Sequence, residues 1–298
     1  MRAFCHAPPA STVAAVSPVT LLRLGRVSNL PTVWTNVLAG TVLAGGAWQN
    51  ARTALVLAAM SLFYVGGMYL NDYFDRAIDA RERPGRPIPA GDIAANAVAA
   101  AGSGMLLAGV VLLAATGVLA AVMGLALAAL IVAYNLFHKG VALSPVTMGL
   151  CRAFVYFGAA AAAAGQVSWP VLLAGLALTA YVAGLTYAAR QESLDRVGNL
   201  WPLVLLAAPI ALALPALREG AGAVAIFLGL IGWSAYAVYL LAKRPMPGAV
   251  PRAVGALIAG ISLVDAAFLA GIGAIMPAFI AVAGFVATMA LQRYIAGT

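Results

Sequence analysis

Charge is what this chain has least of. Only 9% of its 298 residues are Asp, Glu, Lys or Arg, and nine in all are acidic. An average soluble domain carries roughly 25% charged residues, so a water-soluble globule is excluded. There are two cysteines, Cys5 near the terminus and Cys151 in an apolar run. They are too few and too differently placed for a disulfide framework. Strands of alternating polarity are missing as well, which excludes a transmembrane barrel.

Hydrophobic residues make up 64% of the chain. Backbone placed in hydrocarbon has to satisfy its own hydrogen bonds, which leaves helices as the spanning elements. Runs of the length needed to cross a bilayer lie near 30–48, 53–71, 93–116, 118–137, 143–165, 169–189, 199–217, 221–242, 253–271 and 273–292. The expected fold is therefore all-α, a polytopic transmembrane bundle of nine or ten spans. Residues 1–20 contain Pro8, Pro9 and Pro18 but no apolar core long enough for a secretory signal, and are expected to form a mobile tail. Residues 21–298 form the transmembrane domain. Alanine- and glycine-rich stretches such as 156–165 suit close helix packing in lipid.

The net charge of +8 is explained by topology rather than by nucleic acid. Of the seventeen Lys and Arg residues, Arg152 falls within a span, Arg52 and Arg218 fall on one side, and the other fourteen fall on the opposite side. Positive residues mark the cytoplasmic side, so an integral, multi-pass protein with its polar loops in the cytoplasm is expected.

Residues 71–91, NDYFDRAIDARERPGRPIPAG, follow an apolar run and hold four of the nine acidic residues. At 100° per residue, a helix continuing to Arg83 brings Asn71, Asp72, Asp75, Asp79 and Glu82 within an arc of about 100°. Such a face repels itself unless a cation sits on it, and a divalent metal is the obvious one. Mg²⁺ keeps waters and usually takes one or two carboxylates plus phosphate oxygens. Arg83 and Arg86, around Pro84 and Gly85, are placed to clamp that phosphate, because a guanidinium fork matches its geometry. Pro84, Pro87 and Pro89 stop the helix.

A second polar loop follows the sixth apolar run. There Tyr187, Gln191 and Asp195 share a helical face, with Glu192 about 100° away. The four-helix offset between the two loops suggests two related halves. Lys139, beside His138, is either a diphosphate contact or a topological anchor. Arg152 and Asp265 lie inside spans, where an ionisable group costs on the order of 3 kcal/mol and points to function. Arg152 either orients an anionic or polar acceptor or is a structural partner of Asp265 or of backbone carbonyls. Asn36 is deep enough in the first span to point into the bundle.

The string NDYFDRAIDARERPGRPIPAG resembles the first aspartate-rich motif of the UbiA superfamily of intramembrane prenyltransferases, with an NDxxDxxxD core followed by RPxRPIxxG. LLRLGRVSNLPTVWTNVLAG resembles that family's first helix, and YNLFHKG resembles a segment that supplies a diphosphate-binding lysine. The resemblance covers nearly the whole chain. It implies a helical bundle around a lipid-open cavity, with Mg²⁺ and an isoprenyl diphosphate held by two aspartate-rich motifs. It also implies transfer of the prenyl group to an aromatic or other lipophilic acceptor. Residue by residue it carries Asn71, Asp72, Asp75 and Asp79 over as metal and diphosphate ligands, and Arg86 and Lys139 as diphosphate contacts. The second motif departs from the pattern: Gln191 stands where relatives carry the first carboxylate of DxxxD, while Asp195 is kept and Glu192 is a substitute ligand. That departure, the TYAARQE context and a tenth apolar segment resemble the EboC branch. Two alternatives follow, non-catalytic binding or export of a hydrophobic metabolite and a membrane terpene cyclase. The resemblance leaves the oligomeric state open.

Overall fold

The computed structural model describes residues 16–137, 141–190 and 198–297, and among these every regular element is helical. A short helix α1 (Pro18–Leu24) starts inside the segment assigned to the tail; Ser17 caps it by accepting the Thr20 N–H at 3.1 Å. The order then runs α2 (Leu30–Leu43), α3 (Ala51–Glu82), α4 (Ala95–Ala114), α5 (Val118–Phe137), α6 (Ser144–Ala164), α7 (Trp169–Ala189), α8 (Ala207–Leu212), α9 (Ala221–Lys243), α10 (Ala249–Gly271) and α11 (Ile275–Leu291). Seven of these helices, α3 to α7 with α9 and α10, are long and apolar enough to cross a bilayer.

The other three apolar runs take shorter forms. Runs 30–48 and 273–292 hold α2 and α11, of 14 and 17 residues. Run 199–217 is not one continuous helix. It breaks into a 3-10 segment (Trp201–Leu206), α8 and a second 3-10 segment (Leu214–Arg218). Pro215, which lacks a backbone donor and disfavours helical backbone in the residue before it, accounts for the break after α8, whereas Pro209 lies inside α8.

Helix α10 is almost wholly buried and forms the centre, with α2, α7, α9 and α11 packed on it. α4, α5 and α9 lie outermost and turn Leu107, Val111, Leu125 and Leu228 outward, as a lipid-facing surface requires. Small residues set the closest approaches: a Cβ on Gly40 of α2 would lie 2.7 Å from the Tyr156 carbonyl oxygen of α6. One turn earlier on each helix, that approach brings Asn36 and Arg152 face to face.

Helix α3 has 32 residues, roughly 48 Å at 1.5 Å per residue, against a hydrocarbon core of about 30 Å. Its last turns therefore project beyond the apolar layer. The helix stops at Glu82 because Arg83, held extended before Pro84 (φ −141°, ψ 60°), cannot continue it.

Candidate active site

The projecting end of α3 buries Asp72, Asp75 and Asp79, at 5%, 7% and 1% exposure, on the same face. Glu82, assigned to that face by helical phase, is exposed instead. It is the last residue of the helix and has passed the packed part of the bundle.

Guanidinium groups cover these carboxylates. Arg86 Nη1 donates to Asp72 Oδ1 at 2.6 Å, and Arg86 Nε lies 3.9 Å from Asp79 Oδ2. Arg83 Nη2 lies 2.9 Å from Asp79 Oδ1 and is half exposed. The third cation is Arg26, just after α1, which donates to Asp72 Oδ1 at 3.2 Å and to Asn71 Oδ1 at 3.3 Å. Helical phase along α3 does not reveal Arg26, which lies 46 residues before Asp72. Its signal is the LLRLGRVSN string, whose second arginine adopts left-handed backbone (φ 42°), a strained state for a residue other than glycine. The Tyr64 hydroxyl, 3.3 Å from the Arg26 carbonyl oxygen, helps fix it. Burial, and after it the Arg26 charge, lower the pKa of Arg86 from its ordinary value, while Asp72 raises it. Arginine starts so high that Arg86 stays charged.

Asn71 holds α3 against α5, its Nδ2 donating to Asn135 Oδ1 at 3.1 Å. Asn135 donates in turn to the Ile131 carbonyl at 3.0 Å.

A polar mouth of about 1000 Å³ is lined by Arg26, Asn71, Asp75, Arg83, Arg86, Arg152 and Arg190 among others, with Asp72 and Asp79 behind the arginines rather than on its wall. Beneath it lies an apolar chamber of about 600 Å³ between α2, α3, α5 and α6, lined by Val33, Met60, Phe63, Leu127, Ile131 and Val155. Tyr64, Met68, Tyr134, Met148 and Arg152 line both spaces, so the two adjoin across a shared wall.

The carboxylates suit a hard cation such as Mg²⁺. Both oxygens of Asp79 are buried and accept no hydrogen bond, so its lone pairs face positive charge without being satisfied by donors. Among the described residues no three acidic, imidazole or thiol groups converge on one point. The arrangement thus fits an ion held by one or two carboxylates and completed by phosphate oxygens, rather than a cage built from protein alone.

The other expected residues divide. Arg152 lines both spaces, but Asn36, expected to touch substrate, is fully buried behind it. Arg152 Nη1 donates to Asn36 Oδ1 at 3.2 Å, and Asn36 Nδ2 donates to Asp265 Oδ1 and Oδ2 at 3.0 and 2.8 Å. Asp265 also accepts the Tyr156 hydroxyl. Tyr187 is half-buried and does not line the mouth; Val182, Leu185, Thr186, Ala189 and Arg190 do. Those positions follow the helical period of α7, and Tyr187 is turned about 100° from Thr186. Lys139, Gln191, Glu192 and Asp195 lie outside the described residues. Tyr134 near the end of α5 and Arg190 after α7 both line the mouth, so the helices leading to those positions converge on it.

Residues 33–200, more than half of the chain, match the UbiA prenyltransferase family. A digeranylgeranylglyceryl phosphate synthase from Methanothrix thermoacetophila is 40% identical over 99 residues, a match that spans 31% of this chain and only 37% of that protein. The protein of the same name from Halobacterium salinarum is 32% identical over 242 residues, covering 76% of this chain and 83% of its own. Among solved structures, a UbiA homolog from Aeropyrum pernix K1 superposes with a TM-score of 0.67 at 20% identity, over 80% of this chain and 96% of that one. The chain is a member of the UbiA prenyltransferase family.

Proposed function

We propose that this protein is a Mg²⁺-dependent intramembrane prenyltransferase that moves an isoprenyl group from an isoprenyl diphosphate to a lipophilic acceptor. The observation that carries the reading is that a cationic, carboxylate-bearing mouth adjoins an apolar chamber and shares wall residues with it. A diphosphate suits the first and a prenyl chain the second. With the positive residues inside, the mouth faces the cytoplasm.

Asp72, Asp75 and Asp79 are the residues to hold Mg²⁺, which when bound would neutralise charge on the diphosphate. Arg26, Arg83 and Arg86 bind its remaining oxygens through charge-assisted hydrogen bonds. Their charge favours the state in which the C1–O bond breaks and the electron pair leaves with diphosphate. The apolar walls, from Phe63 to Val155, keep water from the allylic cation left behind. The acceptor's nucleophilic atom bonds to C1 and yields a proton, which the diphosphate takes. Asn71 braces α3 on α5 and so fixes the carboxylate face relative to the chamber. Lys139, Gln191, Glu192 and Asp195 belong to this reading as diphosphate or metal contacts from the second polar side.

A terpene cyclase, in which the chain attacks itself, fits less well. The chamber has three aromatic residues on its walls, Phe63, Tyr64 and Tyr134, and it carries Arg152 and Asn135, polar groups that an internal cyclisation does not use. The test is to incubate the protein in nanodiscs with Mg²⁺ and geranyl, farnesyl or geranylgeranyl diphosphate, with and without acceptors, and to measure diphosphate release. Release that requires Mg²⁺ and is lost in Asp72→Ala and Asp75→Ala is expected; no release from any donor, or release indifferent to those changes, overturns the reading.

A further inference from the structure

We propose that the segment Gln292 to Gly297, at the end of α11 and beyond it, is a latch that keeps Arg26 aimed at Asp72, and that Asn29 is the positioning residue that fastens it. The inference rests on the prenyltransferase reading of the mouth and names what holds one of its diphosphate-binding cations in place. Four observations carry it.

The first is strain at Arg26. Its backbone is left-handed (φ 42°, ψ 47°), a state that persists only where surrounding contacts over-determine it. Its carbonyl oxygen accepts the Asn29 N–H at 3.0 Å and the Tyr64 hydroxyl at 3.3 Å. Arg26 and Asn29 therefore bracket one tight turn, a 3-10 segment (Val27–Asn29). Whatever fixes Asn29 fixes that turn, and with it the direction from which Arg26 reaches Asp72 at 3.2 Å.

The second is how Asn29 uses its side chain. It stands at the N-cap of α2, where asparagine ordinarily accepts a hydrogen bond from the first turn of the helix, yet it makes no such bond. Instead its Nδ2 donates to the Gly297 carbonyl oxygen at 2.9 Å, and its Oδ1 accepts from Gln292 Nε2 at 3.1 Å. Asn29 is buried, and both polar ends of its side chain go to a segment from the other end of the chain.

The third is that the segment is itself seated. Gln292 Nε2 also donates to the Gly255 carbonyl oxygen of α10 at 3.4 Å. Gly297 approaches so closely that a Cβ there would lie 2.8 Å from Asn29 Oδ1. The turn, α10 and the segment are thus tied at one point.

The fourth is place. Asn29 and Gly297 line the mouth together with Arg26. Arg26 also lines a separate pit of about 820 Å³, walled by Asp72, Arg86 and the stretch Tyr294, Ile295 and Ala296. The segment therefore borders Arg26 in both spaces, and Asn29 acts on the mouth through Arg26.

The test compares the full chain in nanodiscs with its Asn29→Ala, Gln292→Met and Gly297→Val variants. Limited trypsin digestion read by mass spectrometry gives the rate of cleavage after Arg26, which follows opening of the turn. Each variant should raise that rate about tenfold, while cleavage after Lys243, exposed at the end of α9, keeps its rate. A second measurement is the affinity for geranyl diphosphate with Mg²⁺. Asn29→Ala should weaken it by up to about tenfold and should add nothing in the Arg26→Gln background, because the two residues act as one unit. If Asn29→Ala does not fold, Gln292→Met and Gly297→Val, which cut the latch from its other side, carry the same expectations. Cleavage after Arg26 that no variant accelerates, or acceleration matched at Lys243, overturns the proposal, as does an effect of Asn29→Ala on affinity that adds to that of Arg26→Gln. Failure of the unmodified protein to bind geranyl diphosphate, or to release diphosphate from it, strikes the transferase reading; the digestion still decides whether the latch holds Arg26.

Discussion

The mouth and the interior of the bundle each place a carboxylate near a guanidinium, and they differ in what stands between the charges. At the mouth Arg86 touches Asp72 at 2.6 Å, and Arg26 shares the same oxygen. In the interior Asn36 separates Arg152 from Asp265. Direct pairs at a partly hydrated rim can exchange partners: a metal can replace arginine on the aspartates, and a phosphate can replace aspartate on the arginines. The interior relay cannot exchange in that way, because Asp265 and Asn36 are fully buried and low dielectric makes any unpaired group expensive. The same residue types are therefore open to exchange in one place and fixed as scaffold in the other.

The sharpest way to break this comparison is to remove the interior carboxylate. Asp265→Ala leaves the Tyr156 hydroxyl and the Asn36 amide without their acceptor and Arg152 without a compensating charge. It should cost about 3–5 kcal/mol of stability, seen as a lowered unfolding midpoint in detergent. Asp72→Ala should behave in the opposite manner. Diphosphate release should fall about 10²- to 10³-fold while the unfolding midpoint moves little; a large loss of stability there would make the mouth a scaffold too.

Arg86→Gln comes next. It removes one charge-assisted contact worth about 1.5–3 kcal/mol, so the donor should bind roughly 10- to 100-fold more weakly in a titration with geranyl diphosphate. Glu82→Gln should do least. Its side chain is exposed at the helix end, and a change of less than about 0.5 kcal/mol in stability, with unaltered release kinetics, is expected. A strong effect would give Glu82 a part in the site that its exposure does not indicate.

Much of this architecture was legible in the chain. The apolar runs mark the helices because the bilayer fixes their length. The period of 3.6 residues places Asp72, Asp75 and Asp79 together because helical phase is a local property. Pro84 sets the end of α3 for the same local reason. The run 199–217 shows where length and hydropathy misled, since it folds as two 3-10 segments around a short helix rather than the single span that composition alone suggests.

Which side chains meet was a different matter. Glu82 shares the phase of the other carboxylates but lies past the packed part of α3, and Tyr187 sits beside the lining face of α7 rather than on it. Arg26 comes to Asp72 across 46 residues, and Asn36 to Asp265 across 229. Such pairings depend on where α2 lies against α6 and α10, a position set by close approaches such as Gly40 on Tyr156. The sequence by itself determined the helices, their apolar character and the carboxylate face, all consequences of spacing along one chain. Only the tertiary structure decided that Arg26 belongs to the mouth, that Asn36 stands behind Arg152, and that a charged space adjoins an apolar one, because each of these depends on helices distant in the chain.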